Sequence, residues 1–155
     1  MRIRPLGAKA TRNRARVLLV ESYDDTRDMI AEYLRLSGFV VMPVASTDDA
    51  AAWYDEADAV VTGIGVKGTM DGLGLVRALR RAPATARTPI VVVTAHAFDR
   101  SRIQALNAGA DVFLPKPCFP DDLVSAIRRT LALNRVPKPR AVAAYPRQRR
   151  HAAAS

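Results

Sequence analysis

The chain has 155 residues, 49% of them hydrophobic, one cysteine and a formal net charge of +9. That is enough chain for one domain with a proper core, and it excludes a chain disordered throughout. No apolar run approaches the roughly 18 residues of a membrane span. The opening "MRIRPLGAKATRNRAR" lacks the apolar stretch of a secretory signal. Cys118 has no internal disulfide partner, which fits a reducing, cytoplasmic compartment. His96 and His151 stand alone, and no metal-ligand spacing is present.

The charge is unevenly placed. Residues 1–16 carry Arg2, Arg4, Lys9, Arg12, Arg14 and Arg16 and no acid. Residues 134–155 carry Arg135, Lys138, Arg140, Arg147, Arg149 and Arg150 and no acid. The remaining 12 basic residues face 15 acids, so residues 17–133 have a net charge of −3. The expected organisation is a slightly acidic domain over 17–133 between two basic, disordered tails, 1–16 and 134–155. The tails have two readings. One is weak contact with nucleic acid or another polyanion through its phosphates. The other is solvated extension, favoured because the arginines are scattered and Tyr145 is the only aromatic among them.

Along the domain, "VLLV" (17–20) is a short continuous apolar run, as in a strand buried on both faces. "VESYDDTRDMIAEYLRLSG" follows with helical spacing. Met29, Ile30, Tyr33, Leu34 and Leu36 form the expected apolar face, Asp24 and Asp25 sit at the positive end, and Gly38 is the stop. "FVVMPV" (39–44) is a second strand, and Pro43 places it at a sheet edge because it lacks a ladder donor. Ser46 with Asp49 signals an N-cap and a short helix containing Trp53 and Tyr54. "DAVVT" (58–62) is the third strand. A helix over 71–82 carries Leu73, Val76 and Leu79 on one side.

"PIVVVTA" (89–95) is the most apolar strand and is expected to be central. A helix over 99–110 ends at Gly109, and "DVFLPKP" (111–117) is a fifth strand. The last helix, 119–133, has Pro120, Asp121 and Asp122 in its first turn and Arg128 and Arg129 toward its negative end. Five β-α units in succession give an α/β fold with a parallel sheet covered on both faces. The functional crevice of such a sheet lies at the C-terminal strand ends. Glu21, Ser22, Gly63, Thr94 and Lys116 are the residues placed there.

The segments "VLLVESYDDTRD", "MDGLGLVRALR", "TPIVVVTA" and "ALNAGADVFLPKP", in this order, resemble the receiver domain of bacterial two-component response regulators. The resemblance covers residues 17 to about 132. It implies a doubly wound (βα)5, flavodoxin-like sheet of order 2-1-3-4-5. It also implies a phosphoryl group passed from a histidine kinase to an aspartate after the third strand. A magnesium ion is then held by that aspartate, an acidic pair after the first strand and a loop carbonyl. By this resemblance Thr94 is the switch threonine, Lys116 the site lysine and Glu21 the first acid of the pair. Phosphoryl transfer needs a carboxylate nucleophile, a hard cation and an ammonium in one place.

Here the pattern fails at its centre. Ser22 stands at the second acid. Gly63 stands at the acceptor if the following loop is one residue longer; otherwise the slot falls on Ile64. Lys67 replaces the usual loop proline. Glu21 is the only residual metal candidate, so neither magnesium nor a phosphoaspartate is expected. Asp24 and Asp25 read as helix-terminal charge, and Asp71 as a cap. Lys116 is expected to pair with Glu21, the alternative being solvent. Phe113 is either the family's switch aromatic or core packing, and Cys118 reads as packing rather than a redox sensor.

The expected function is therefore non-enzymatic: a degenerate receiver serving as an interaction module for a histidine kinase or another signalling protein. The partner face would be the fourth helix, fifth strand and fifth helix. A working receiver with an unorthodox acceptor or magnesium site is the alternative, and a nucleic-acid-associated protein the third. About 22 residues after the last helix are too few for a DNA-reading module, which suggests a single-domain regulator.

Overall fold

The computed structural model describes residues 14–96 and 98–134. Most of both basic tails therefore lies outside the described residues. The strands are β1 (Arg16–Val20), β2 (Val40–Val44), β3 (Ala59–Thr62), β4 (Ile90–Thr94) and β5 (Val112–Pro115). The helices are α1 (Asp24–Leu36), α2 (Thr47–Ala50), α3 (Gly72–Arg81), α4 (Asp99–Ala108) and α5 (Pro120–Leu133), and a 3-10 turn, Ala51–Trp53, extends α2. All strand pairs are parallel, in the order β2-β1-β3-β4-β5. Pro43 does lie on an edge strand, paired only toward Leu19 of β1. β4 is an interior strand with every residue buried.

Alternation along the strands divides the core in two. Leu18, Val20, Ile90 and Val92 face α2, α3 and α4, where Leu75, Val76, Leu79 and Ala105 meet them. Val17, Leu19, Val91 and Val93 face α1 and α5, where Leu34, Leu123 and Ile127 meet them. Trp53, Tyr54 and Phe113 are partly buried against the first cluster.

Three expectations need correction. The first strand starts one residue earlier than the expected 17–20: Arg16 is in β1, its amide donates to Asp58 Oδ2 at 2.7 Å, and its guanidinium lies 3.8 Å away. On α1 the buried stripe is Ala31 and Leu34, whereas Met29 and Leu36 are 63% and 80% exposed. At about 100° per residue these two lie roughly 140–160° around the helix from Leu34, too far to share its face. Arg128 does not serve the end of its own helix, because α5 runs on to Leu133. Its guanidinium donates to Ser37 O, just past the end of α1, at 2.7 Å and lies over the Phe39 ring.

The "AGAD" segment has a structural reason. Asp111 accepts from Ile90 N and from Arg80, which also donates to the carbonyls of Thr88 and Gly109. One arginine thus ties the end of α3 to the starts of β4 and β5.

Candidate functional site

The parallel register aligns the C-terminal strand ends. Val20 pairs with Thr62, so Glu21 and Gly63 leave the sheet side by side, and Gly63 N reaches Val20 O at 3.4 Å. Lys116 N donates to Thr94 O at 2.8 Å, which sets the lysine beside β4. From there Lys116 Nζ donates to Glu21 Oε1 at 2.6 Å. The expected pair is formed, between residues 95 positions apart. Glu21 is 7% exposed, and burial strengthens its attraction to the ammonium while raising the cost of losing it.

Gly63 follows the last residue of β3 directly. A Cβ there would stand 3.3 Å from Val66 Cγ1 and 3.5 Å from Val93 O, so the buried Val66 side chain closes in on the space a side chain at 63 would enter. Ile64 packs partly buried against the first core cluster, and its carbonyl accepts from Gly72 N at 2.8 Å. Gly72 is required by close approach, since a Cβ at that position would fall 1.7 Å from Gly63 O. Neither reading of the loop register therefore offers a carboxylate.

Ser22 serves the loops. Its hydroxyl donates to Ala45 O at 2.9 Å and accepts from Lys67 N at 2.7 Å. Thr47 N donates to Lys67 O and Thr47 Oγ1 to Met70 O, at 2.9 and 2.7 Å. Asp48 accepts from Thr69 N at 3.0 Å. The β3–α3 loop is thus fastened both to the residue after Glu21 and to the first turn of α2. The side chain of Lys67 is exposed; its backbone carries the contact. Asp71 caps α3 by accepting from Gly74 N, and Ser46 caps α2 by accepting from Asp49 N.

The buried Thr94 accepts from His96 N at 3.1 Å and so shapes the turn after β4. Asp24 is held by Arg27 Nη2 at 2.6 Å, while Arg27 Nη1 donates to Glu21 O at 2.9 Å. Arg27, Thr47 and Val66 take part in the site although sequence reasoning singled out none of them. Arg27 had one signal, its i+3 spacing from Asp24. Its second partner, a strand-end carbonyl, is set only by the fold. Cys118 is half-buried, and burial first, then Asp122, push its thiol up, with Lys116 opposing. A protonated thiol is a poor nucleophile.

These residues do not fit a magnesium ion. A magnesium site wants one or two carboxylates in near-octahedral oxygen coordination. The frame offers one carboxylate, already paired with Lys116, and neither Ser22 nor Gly63 supplies a second. Among the described residues, no three His, Cys, Asp or Glu side chains are grouped to hold a metal. Nor is any helix among them long and apolar enough to cross a membrane.

The response regulator receiver domain model matches residues 17–128. Protein PetR of Rhodobacter capsulatus is 35% identical over 133 residues, 84% of this chain and 53% of its own length. The phosphate regulon transcriptional regulatory protein PhoB of Pseudomonas aeruginosa is 31% identical over 74% of this chain and 51% of its own. The chain therefore spans about half the length of these curated relatives. Among solved structures, the receiver domain of the Pseudomonas aeruginosa sensor histidine kinase PA1611, with magnesium coordinated in its active-site cleft, is 27% identical. It superposes with a TM-score of 0.70 over 77% of this chain and 98% of its own. Chemotaxis response regulator CheY4 of Vibrio cholerae is 26% identical with a TM-score of 0.69, over 76% and 99%. With strand order and family model in agreement, this chain belongs to the response regulator receiver domains of two-component signalling.

Proposed function

We propose that this receiver works without phosphorylation, as a protein-interaction module whose site is held in one state by its own side chains. The observation that carries the reading is that the residue directly after β3 is Gly63, with no carboxylate, and that a Cβ there would meet Val66 Cγ1 at 3.3 Å. The Lys116–Glu21 pair supports it: the ammonium that would contact a phosphoryl oxygen in the family already has a carboxylate partner. Ser22 supports it too, since its oxygen joins two loops rather than offering a metal ligand.

The partner is a histidine kinase or another signalling protein, met through α4, β5 and α5. Ile103 and Leu106 of α4 are 57% and 40% exposed, apolar area that a partner would cover. Phe113 lies half-buried against the first core cluster, a place that suits either a receiver switch aromatic or plain core packing. The test is incubation of the full chain with a small phosphodonor and magnesium, read by intact mass. The mass is expected to stay unchanged. A stable adduct of one phosphoryl group would overturn the reading in favour of an unorthodox acceptor.

A further inference from the structure

A groove of about 650 Å³ runs between α1 and the start of α5, on the sheet face opposite α3 and α4. Met29, Tyr33 and Leu36 line one side, and Pro117, Cys118 and Leu123 the other. Its outer edge is acidic. Glu32 lines it, Asp25 lies on the same side of α1 as Met29 and Leu36, and Asp121 accepts a hydrogen bond from Tyr33 across the groove. Two large apolar side chains in water beside three carboxylates suit an occupant that is itself both apolar and cationic.

The sequence holds such a segment. The 21 residues after Asn134 carry six basic side chains and no acid. Within them "PRAVAAYPR" (139–147) brackets its apolar stretch with Arg140 and Arg147. The geometry of α5 brings this segment within reach. Arg128 touches Ser37 O, so that point of α5 is level with the end of α1. From Arg128 to Asn134 the helical rise adds about 9 Å, and from Leu36 back to Thr26 the groove follows α1 for about 15 Å. A returning chain needs roughly eight extended residues to cover both lengths. Val142 and Tyr145 stand 8 and 11 residues beyond Asn134.

We propose that the groove between α1 and α5 is the docking site of the chain's own segment around Val142–Tyr145, its arginines facing Asp25, Glu32 and Asp121. A tethered segment acts at an effective concentration in the millimolar range, so even a weak contact is populated. The docked segment covers an apolar surface that borders Lys116, and a protein approaching that end of the receiver would have to displace it.

Cys118, the chain's one cysteine, lies in the groove and reports on its cover. The experiment compares its alkylation rate, at fixed pH, in the full chain and in full chains carrying Val142→Asp and Tyr145→Asp. Amide spectra of Thr26–Leu36 and Leu123 are recorded in parallel. The expected result is alkylation about fivefold faster in the double variant, with shifted groove amides, and partial loss of protection in wild type at high salt. Equal rates with unchanged amides overturn the proposal and leave the groove to a separate partner. Should Cys118 react slowly in both, the amides decide. Protection that grows with protein concentration also overturns it, in favour of a second copy. So does protection lost with Ile3→Asp and Leu6→Asp instead, which would assign the groove to the N-terminal segment.

Discussion

Lys116 and Glu21 share one contact but are not equally replaceable. The Glu21 side chain is 9% exposed, whereas the lysine side chain is 29% exposed and can swing its ammonium toward water. Lys116→Met leaves a buried carboxylate without its cation and is expected to cost about 1–3 kcal/mol, toward the lower end because the pair is partly solvated. Glu21→Gln keeps an acceptor and is expected to cost less, under about 1 kcal/mol. Urea unfolding of both variants checks the order; a Gln variant as damaging as the Met variant would show that the pair's value lies elsewhere. This contact was legible before the fold was known, because a partly buried ammonium without its usual partner has to find another. Val66 was not legible. It lies three residues past the slot in a loop without periodicity, and only the fastening of that loop by Ser22 and Thr47 turns its side chain inward.

The elements were read correctly in order, and in kind except that the short helix expected to contain Trp53 and Tyr54 stops at Ala50 and gives way to a 3-10 turn ending at Trp53; α1 shows where such reading stops. Its five apolar residues spread over more of the helix than one buried stripe can use, and spacing alone does not say which edge of that arc meets the sheet. Leu34 is fully buried, so Leu34→Ala is expected to cost about 2–5 kcal/mol. Leu36→Ala should change stability by less than about 0.5 kcal/mol. Comparable losses at the two positions, by thermal or urea unfolding, would contradict the exposure of Leu36. The contact between α1 and α5 can be followed by titration. The hydrogen bond to Asp121 holds the Tyr33 phenol above its ordinary range, with lesser contributions from desolvation and the Asp121 charge, while Arg128 opposes. Asp121→Asn removes the charged acceptor, so the Tyr33 ring signals in NMR should titrate at lower pH than in wild type. No downward movement would mean that the two helices do not meet through this pair. The resemblance carried by "ALNAGADVFLPKP" identified the end of α4, but not the reason for Asp111, whose Arg80 and Ile90 partners come from two other elements.

At the scale of the molecule, the sheet order was within reach of the sequence because β-α succession restricts the topology and Pro43 marks an edge. The missing acids were equally visible, as residue types. What the sequence did not show is that three loops at the strand ends are fastened to one another. Ser22 follows β1, Thr47 opens α2, and Val66 with Lys67 follows β3, and they form one joined unit. Restoring the acids alone should therefore not restore the chemistry. In Gly63→Asp with Ser22→Asp, the new Cβ at 63 meets Val66 Cγ1 at 3.3 Å, and Ala45 O loses its hydroxyl donor. The double variant is expected to fold with a loss of about 2–5 kcal/mol, since crowding and the lost part-buried hydrogen bond each cost about 1–3 kcal/mol, the second toward the lower end. It is expected to take up neither magnesium nor phosphate. Adding Val66→Ala opens the space beside residue 63, and magnesium should then move the amide signals of Glu21 and residue 63, with phosphoryl uptake visible by intact mass. A double variant that binds magnesium as well as the triple variant would show that the slot is only unfurnished and not closed.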